Sequence, residues 1–236
     1  MPVAGNKSII EQGLSIRIHS GGFSFFTPGG QKDVHVEAEE ALTKALEEAF
    51  TNYSILRPDF DEVSVYSNYP STRIPLDEFR SEEAQAIYRL TFGHESLRGM
   101  NMHYEMLPAL KIIEVFTLDT AIEDIILQHY PHALMHSYFG QLMNRMWSHD
   151  RRASNEERRL YANICDQKLF LFAYENGGLR FANSFEAEKV NDQLYFLLAV
   201  WKQLGMRQTK DCCVLIDDNK PLHEELKRYI KNITCV

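Results

Sequence analysis

The tightest constraint on what this 236-residue chain can fold into is one strand-like run that is apolar on both faces. Leu169, Leu171 and Ala173 alternate with Phe170, Phe172 and Tyr174. Such a run belongs in a sheet covered on both sides. The stretch from Tyr161 reads as the strand before it. Glu175-Asn176-Gly177-Gly178 then turns the chain, because glycine takes positive φ without steric cost. Leu179 to Phe185 is the returning strand. At that point the apolar period changes from two to 3.6. Val190, Leu194, Leu197, Leu198, Trp201 and Leu204 fall on one helical face, and Gly205 stops the helix. Cys212-Cys213-Val214-Leu215-Ile216 is a short continuous apolar run, suited to a central parallel strand, and Asp217-Asp218-Asn219 ends it. Residues 160–216 therefore read β-β-β-α-β.

A second, weaker copy lies about 146 positions earlier. Leu14, Ile16 and Ile18 alternate in one strand, Gly21-Gly22 turns, and Phe23 to Phe26 returns. Pro28-Gly29-Gly30 turns again before a short strand at Val34-His35-Val36. A helix with Leu42, Ala45, Leu46, Ala49, Phe50 and Tyr53 on one face leads to a fourth strand, Glu62 to Tyr66. The repeat makes the chain α/β and divides it into two halves, with residues 1–110 expected in the first and 111–236 in the second.

Between the copies, Phe79 to Phe92 is expected to be a helix with Phe79, Ile87 and Leu90 inward. Met102 to Met106 and Leu110 to Phe116 are expected strands. Thr120-Ala121-Ile122-Glu123 fits the capping box, in which a hydroxyl and a carboxylate three residues apart satisfy each other's backbone N–H. The helix it opens would bury Ile122, Ile125, Ile126 and Tyr130. His132 to His136 reads as a short strand, and Phe139 to Trp147 as a helix. Residues 148–159 form a polar connection. Pro221 opens a last helix expected to carry Leu222, Leu226, Tyr229, Ile230 and Ile233 on one face.

Composition narrows the function classes. A net charge of −8 argues against a nucleic-acid partner, whose phosphates demand a basic footprint. No apolar run approaches the roughly 18 residues needed to cross a bilayer. The first residues lack the apolar segment of a signal peptide, which places the chain in the cytoplasm. Its four cysteines include no Cys-x-x-Cys pair, and adjacent Cys212 and Cys213 read as small core residues.

Other clusters read as ordinary structure. Pro131 interrupts the spacing of His129, His132 and His136, so no metal site is expected. Asp150, Glu156 and Glu157 interleave with Arg151, Arg152, Arg158 and Arg159, as in a solvated mixed-charge loop. Asp217 and Asp218 suit a turn. No catalytic residue stands out, and no Walker loop, dinucleotide fingerprint or Gly-x-Ser-x-Gly elbow is present.

A β-β-β-α-β unit used twice resembles the duplicated ribonuclease-H-like, actin-like ATPase fold. The nearest resemblance is to the actin-like proteins of pilus assembly and secretion. Residues 162–185 (ANICDQKLFLFAYENGGLRFANSF) read like that family's second phosphate hairpin. The whole chain also resembles an uncharacterised bacterial domain family of this fold. Active members carry an Asp-x-Gly loop at the first hairpin of each half, where the acid positions Mg²⁺ and the glycine admits phosphate. Here Ile18-His19-Ser20-Gly21-Gly22 has glycines and no acid. In the second half Asn163 stands where the acid is expected. The resemblance therefore implies a degenerate site with no cofactor, serving as a non-catalytic protein-binding or scaffolding module with a protein partner. The alternative is an ATPase or kinase-like protein binding ATP and Mg through Ser20, Gly21, Gly22, Asp166, Gln167, Lys168, Asp217 and Asp218.

Overall fold

The computed structural model describes residues 13–19, 21–36, 42–56, 59–150, 158–175, 177–217 and 219–236. Within them the chain forms two compact units, 13–142 and 143–236.

In the first unit, β1 (Leu14–His19), β2 (Gly22–Thr27) and β3 (Gly30–His35) form an antiparallel meander. Helix α1 (Leu42–Asn52) crosses to β4 (Val63–Ser67), which pairs parallel with β1. A second helix, α3 (Thr120–His129), leads to β8 (Leu134–Ser137), parallel with β4. The strand order is β3-β2-β1-β4-β8. Leu14, Ile16, Ile18, Phe23, Phe25, Val63 and Val65 point to one face and pack on Leu46 and Phe50 of α1 and Ile122 and Ile126 of α3. Each such buried side chain contributes about 1.5–3 kcal/mol.

The second unit repeats the plan. The meander β9 (Arg159–Cys165), β10 (Lys168–Glu175) and β11 (Gly178–Glu186) leads through α5 (Val190–Gln203) to β12 (Cys212–Ile216), and then through α6 (Lys220–Leu226) to β13 (Asn232–Cys235). The order β11-β10-β9-β12-β13 matches the first sheet strand for strand. Leu160, Ala162, Leu169, Leu171, Cys213 and Leu215 meet Leu197, Val200, Trp201, Leu222 and Leu226 of the two helices.

The halves differ between the fourth strand and the next helix. In the second, Asp217 to Asn219 makes that connection. In the first, an insertion does: β5 (Ser71–Pro75), α2 (Ser81–Phe92), β6 (Met100–Leu107) and β7 (Ile112–Asp119). The three strands form a small sheet, order β5-β7-β6, with Ile74, Ile113 and Val115 packed on Tyr88 of α2.

Five expectations need correction. Residues 111–119 belong with the first half, because β7 pairs with β5 and β6, and the boundary between compact units falls at 142/143, inside α4 (Tyr138–Asp150). Leu90 is 89% exposed; Ala84 and Tyr88 take the inward face, and the Tyr88 hydroxyl bonds Pro70 O and Thr117 Oγ1. The cap of α3 is Asp119, whose Oδ1 accepts from Ile122 N at 3.0 Å. Glu123 instead accepts from Asn101 and meets His103. β3 begins four residues early, at Gly30, and is polar because it is an edge strand. The last helix stops at Leu226, and Ile233 reaches the core from β13. The apolar spacing from Leu222 to Ile233 suits a helix, but the vacant fifth position of the sheet takes its second part as a strand.

Candidate functional site

Open α/β sheets bind ligands beyond the carboxyl ends of their strands. In the second unit that end is built by β9 and β12. Asn163, buried to 1% exposure, extends its amide to Ile216 O and to Asp217 Oδ2, both at 3.3 Å. Asp217 leaves β12 with φ of 71°, and its carbonyl accepts from Asn219 N. Asn219 then caps α6 through Leu222 N. Asp217 therefore opens a turn and fixes Asn163. Asp218 lies outside the described residues.

The neighbouring hairpin turns on Asp166 and Gln167, both left-handed at φ 52° and 64°. Cys165 Sγ lies 3.1 Å from Asp166 Oδ2. Gln167 O accepts from Ala187 N, and Lys168 pairs with Glu186 at 3.7 Å across β10 and β11. Structure thus brings Asn163 and Asp217 together and sets Asp166, Gln167 and Lys168 on a separate connection, where sheet contacts occupy them.

In the first unit, His19 pairs with Gly22 across a two-residue hairpin, as Cys165 pairs with Lys168. Ser20 lies outside the described residues. Gly21 has open space around it, with His19 Nδ1 3.7 Å from where its Cβ would stand. Gly22 is different: φ is +136°, and a Cβ there would stand 1.9 Å from Val34 O. The glycine is required by the approach of β3, a reason internal to the sheet.

Matching the hairpins by register places Arg17 at the position of Asn163 and Ser67 at that of Asp217. Arg17 lies 5.7 Å from the ring centres of Phe26 and of Tyr138 and bonds Ser24 Oγ at 3.3 Å. Ser67 Oγ donates to Thr117 O at 2.6 Å. Neither first strand carries an acid. Among the described residues no three His, Cys, Asp or Glu side chains converge as a metal site. Mg²⁺ demands oxygen ligands, mostly carboxylate and phosphate. A cation at Arg17 and an amide at Asn163 do not supply them, so the residues present do not fit a magnesium nucleotide held in that fold's usual way.

A polar constellation went unread in the sequence. Arg73, Glu114 and Glu105 stand side by side across β5, β7 and β6. Arg73 grips Glu114 through Nε at 3.1 Å and Nη2 at 3.2 Å, and its guanidinium lies 4.3 Å from the ring centre of Phe139. Glu114 is fully buried. Glu105 meets His136 Nδ1 at 2.6 Å and accepts from Ser137 N and Gln141. Ser137 Oγ donates to Glu114 and accepts from Gly140 N. Every carboxylate oxygen in this row has a donor, so the row fixes the insertion against β8 and α4. Its signal was a lone glutamate in the apolar run LKIIEVF.

The histidines part company. His129 packs on Phe50 at 4.4 Å between ring centres, His132 Nε2 meets Phe60 O, and His136 meets Glu105. In the second unit Asp150 accepts from the Tyr161 hydroxyl at 3.0 Å. Burial pushes the Asp150 carboxyl up against that bond, and burial followed by the Asp150 charge pushes Tyr161 well above the ordinary phenol range. Asp211 goes the other way. Burial opposes its charge, but bonds from Arg207 and Arg158 outweigh it and hold the carboxyl far below the usual range.

Comparison with known proteins agrees with the fold. Residues 6–233 match the family model described as "Protein of unknown function (DUF3822)". A solved structure from Bacteroides thetaiotaomicron VPI-5482, described as a protein with actin-like ATPase fold and unknown function, is similar over 100% of this chain and 94% of its own. Its TM-score is 0.81 at 26% identity. The PilM-PilN type IV pilus biogenesis complex is similar over 95% of this chain and 88% of that one, with a TM-score of 0.55 at 10% identity. No curated protein matches in sequence. The fold is the actin-like ATPase fold, built from two ribonuclease-H-like halves. Among the described residues no helix is long and apolar enough to cross a membrane.

Proposed function

We propose that this chain, which belongs to the DUF3822 family of proteins of unknown function, is a non-catalytic protein-binding module. One observation carries the reading: the equivalent positions on the first strands of the two halves hold Arg17 and Asn163, where magnesium chemistry needs a carboxylate. An arginine there repels the metal, and the Asn163 amide is engaged with Ile216 and Asp217.

A protein partner is supported by two further facts. Tyr104 and Met106 project from one face of β6, 43% and 60% exposed, with the Phe79 ring 5.3 Å from that of Tyr104. Exposed aromatic and methionine side chains are characteristic of protein interfaces. A structurally similar protein occurs in a two-component pilus biogenesis complex.

The test is thermal unfolding with ATP and Mg²⁺, then with ADP, then without metal. A ligand at 100 times its Kd stabilises by about 2.7 kcal/mol, so binding would be visible. No shift at millimolar nucleotide is the expected result. A Mg²⁺-dependent shift abolished by Asp217→Ala or Asp166→Ala would overturn the reading. On the partner side, a protein cross-linked to the wild type should be lost from a Tyr104→Ser, Met106→Ser double variant.

A further inference from the structure

Sheet β5-β7-β6 ends in two edges, and they are guarded unequally. β5 is short and ends in Pro75, which has no N–H to offer a further strand. β6 runs from Met100 to Leu107 with no proline, lysine or glycine, and its register with β7 is unbroken throughout. Among the described residues no strand pairs with its outer side. The edge strand β3, by contrast, carries Lys32 and Asp33. A long, regular and unguarded edge is a template for another strand.

The end of the ladder fixes its hydrogen-bond phase. Thr120 N–H donates to Gly99 O at 3.0 Å, one pair beyond Met100 opposite Asp119. Successive strand residues turn their backbone groups to opposite sides, so Asn101, His103, Glu105 and Leu107 face β7. Met102, Tyr104 and Met106 turn N–H and C=O to the open edge. Their side chains share the face that carries α2. There Met102 packs on the cluster of Ile74, Tyr88, Ile113 and Val115, while Tyr104 and Met106 are exposed.

The edge is its own antiparallel complement. Around Tyr104, Met102 and Met106 stand symmetrically, and His103 and Glu105 flank it as imidazole and carboxylate. We propose that a second copy of the chain adds its β6 to this edge about a two-fold axis through Tyr104, an inference that rests on the protein-binding reading above. In that register Tyr104 exchanges backbone bonds with its counterpart, Met102 exchanges them with the partner's Met106, and the exposed tyrosine and methionine side chains cover each other. On the opposite face His103 stands across from the partner's Glu105, a favourable cross-strand pair. An axis through His103 or Glu105 sets imidazole against imidazole or carboxylate against carboxylate. His103 and Glu105 keep their own bonds to Glu123 and His136, so they select the register while the backbone and the apolar strip supply the attraction.

Sedimentation equilibrium of the full chain across the micromolar range tests it, with the melting temperature as the check on folding. A monomer–dimer equilibrium is expected. Tyr104→Pro removes an edge N–H, which an edge strand tolerates, and should raise the dimer dissociation constant about tenfold or more. The Tyr104→Ser, Met106→Ser double variant should weaken the dimer without touching the backbone. With Cys235→Ser removing the exposed thiol, Tyr104→Cys should be joined to its counterpart by a short bis-maleimide, and Tyr195→Cys, exposed in the second unit, should not. A chain monomeric at every concentration overturns the proposal, as does a dimer that both edge variants leave intact. A monomeric wild type that still cross-links a different protein through Tyr104 and Met106 overturns the second copy alone and leaves the protein-binding reading standing. A β6 dimer that also shows a Mg²⁺-dependent nucleotide shift overturns the non-catalytic reading and leaves the dimer.

Discussion

The two sheets keep one strand order while their strands carry different chemistry on one face only. On the helix-covered face the halves agree in kind: Leu14 and Leu160, Ile16 and Ala162, Phe23 and Leu169, Val65 and Leu215 are paired by register, and all are buried. On the opposite face they differ at most positions, although Phe26 and Phe172 match. Ser15 stands opposite Tyr161, Arg17 opposite Asn163, and Gly22 opposite Lys168. Hydrophobic burial and strand period set the order, so the core face is the conserved half of the plan. The other face is free to diverge provided each polar group finds a partner. The halves also use buried charge differently. The first locks an insertion with Glu114 between strands, whereas the second ties a turn to a strand with Asp211.

The largest test of that contrast is Glu114→Ala. It strands Arg73, whose side chain is 16% exposed, beside a cavity. A loss of about 3–5 kcal/mol is expected in urea unfolding, as for breaking a buried ion pair. A loss under about 1 kcal/mol would mean the insertion is held by its apolar contacts alone.

Asp211→Asn should cost less, about 1.5–3 kcal/mol, because Arg158 and Arg207 are 39% and 49% exposed and water can take them back. Its pH dependence has a definite sign. The Asp211 carboxyl is held below its ordinary range, so its contribution is fully present above about pH 4. The gap between wild type and variant should close as pH falls from about 4 through the depressed folded value. A gap that widens on acidification would contradict the hydrogen-bonded carboxylate.

The smallest effect compares one register position in the two hairpins. Gly22→Ala forces positive φ and a clash with Val34 O, costing about 1–3 kcal/mol. Lys168→Gly should cost only about 0.5–1 kcal/mol, through backbone entropy. Equal costs would remove the steric explanation for Gly22.

Much of the fold was legible because it rests on period. The alternation from Leu14 to Ile18, the doubly apolar β10 and the helical spacing from Val190 to Leu204 each state a local rule that burial enforces. Less of the candidate site was legible. Asn163 could be read as a missing acid from the hairpin alone, but Arg17 became its counterpart only when the register of β1 against β2 was known. The Asp217 to Asn219 segment reads as a turn in sequence, with a metal or phosphate contact as the alternative, and only the structure shows Asp217 holding Asn163.

By itself the sequence determined two α/β halves, their strand and helix content around a repeated β-β-β-α-β unit, and the absence of an acid from each first strand. Those follow from side-chain period and residue identity, which are local. Tertiary structure decided that residues 111–119 join the first half, that Ile233 lies in a fifth strand, and that Arg73, Glu114 and Glu105 form one row. It also decided that Met102, Tyr104 and Met106 turn their backbone groups to an open sheet edge. These are matters of which strand lies beside which. Long-range pairing is set by the competition of whole faces for burial, and no stretch of chain encodes that alone.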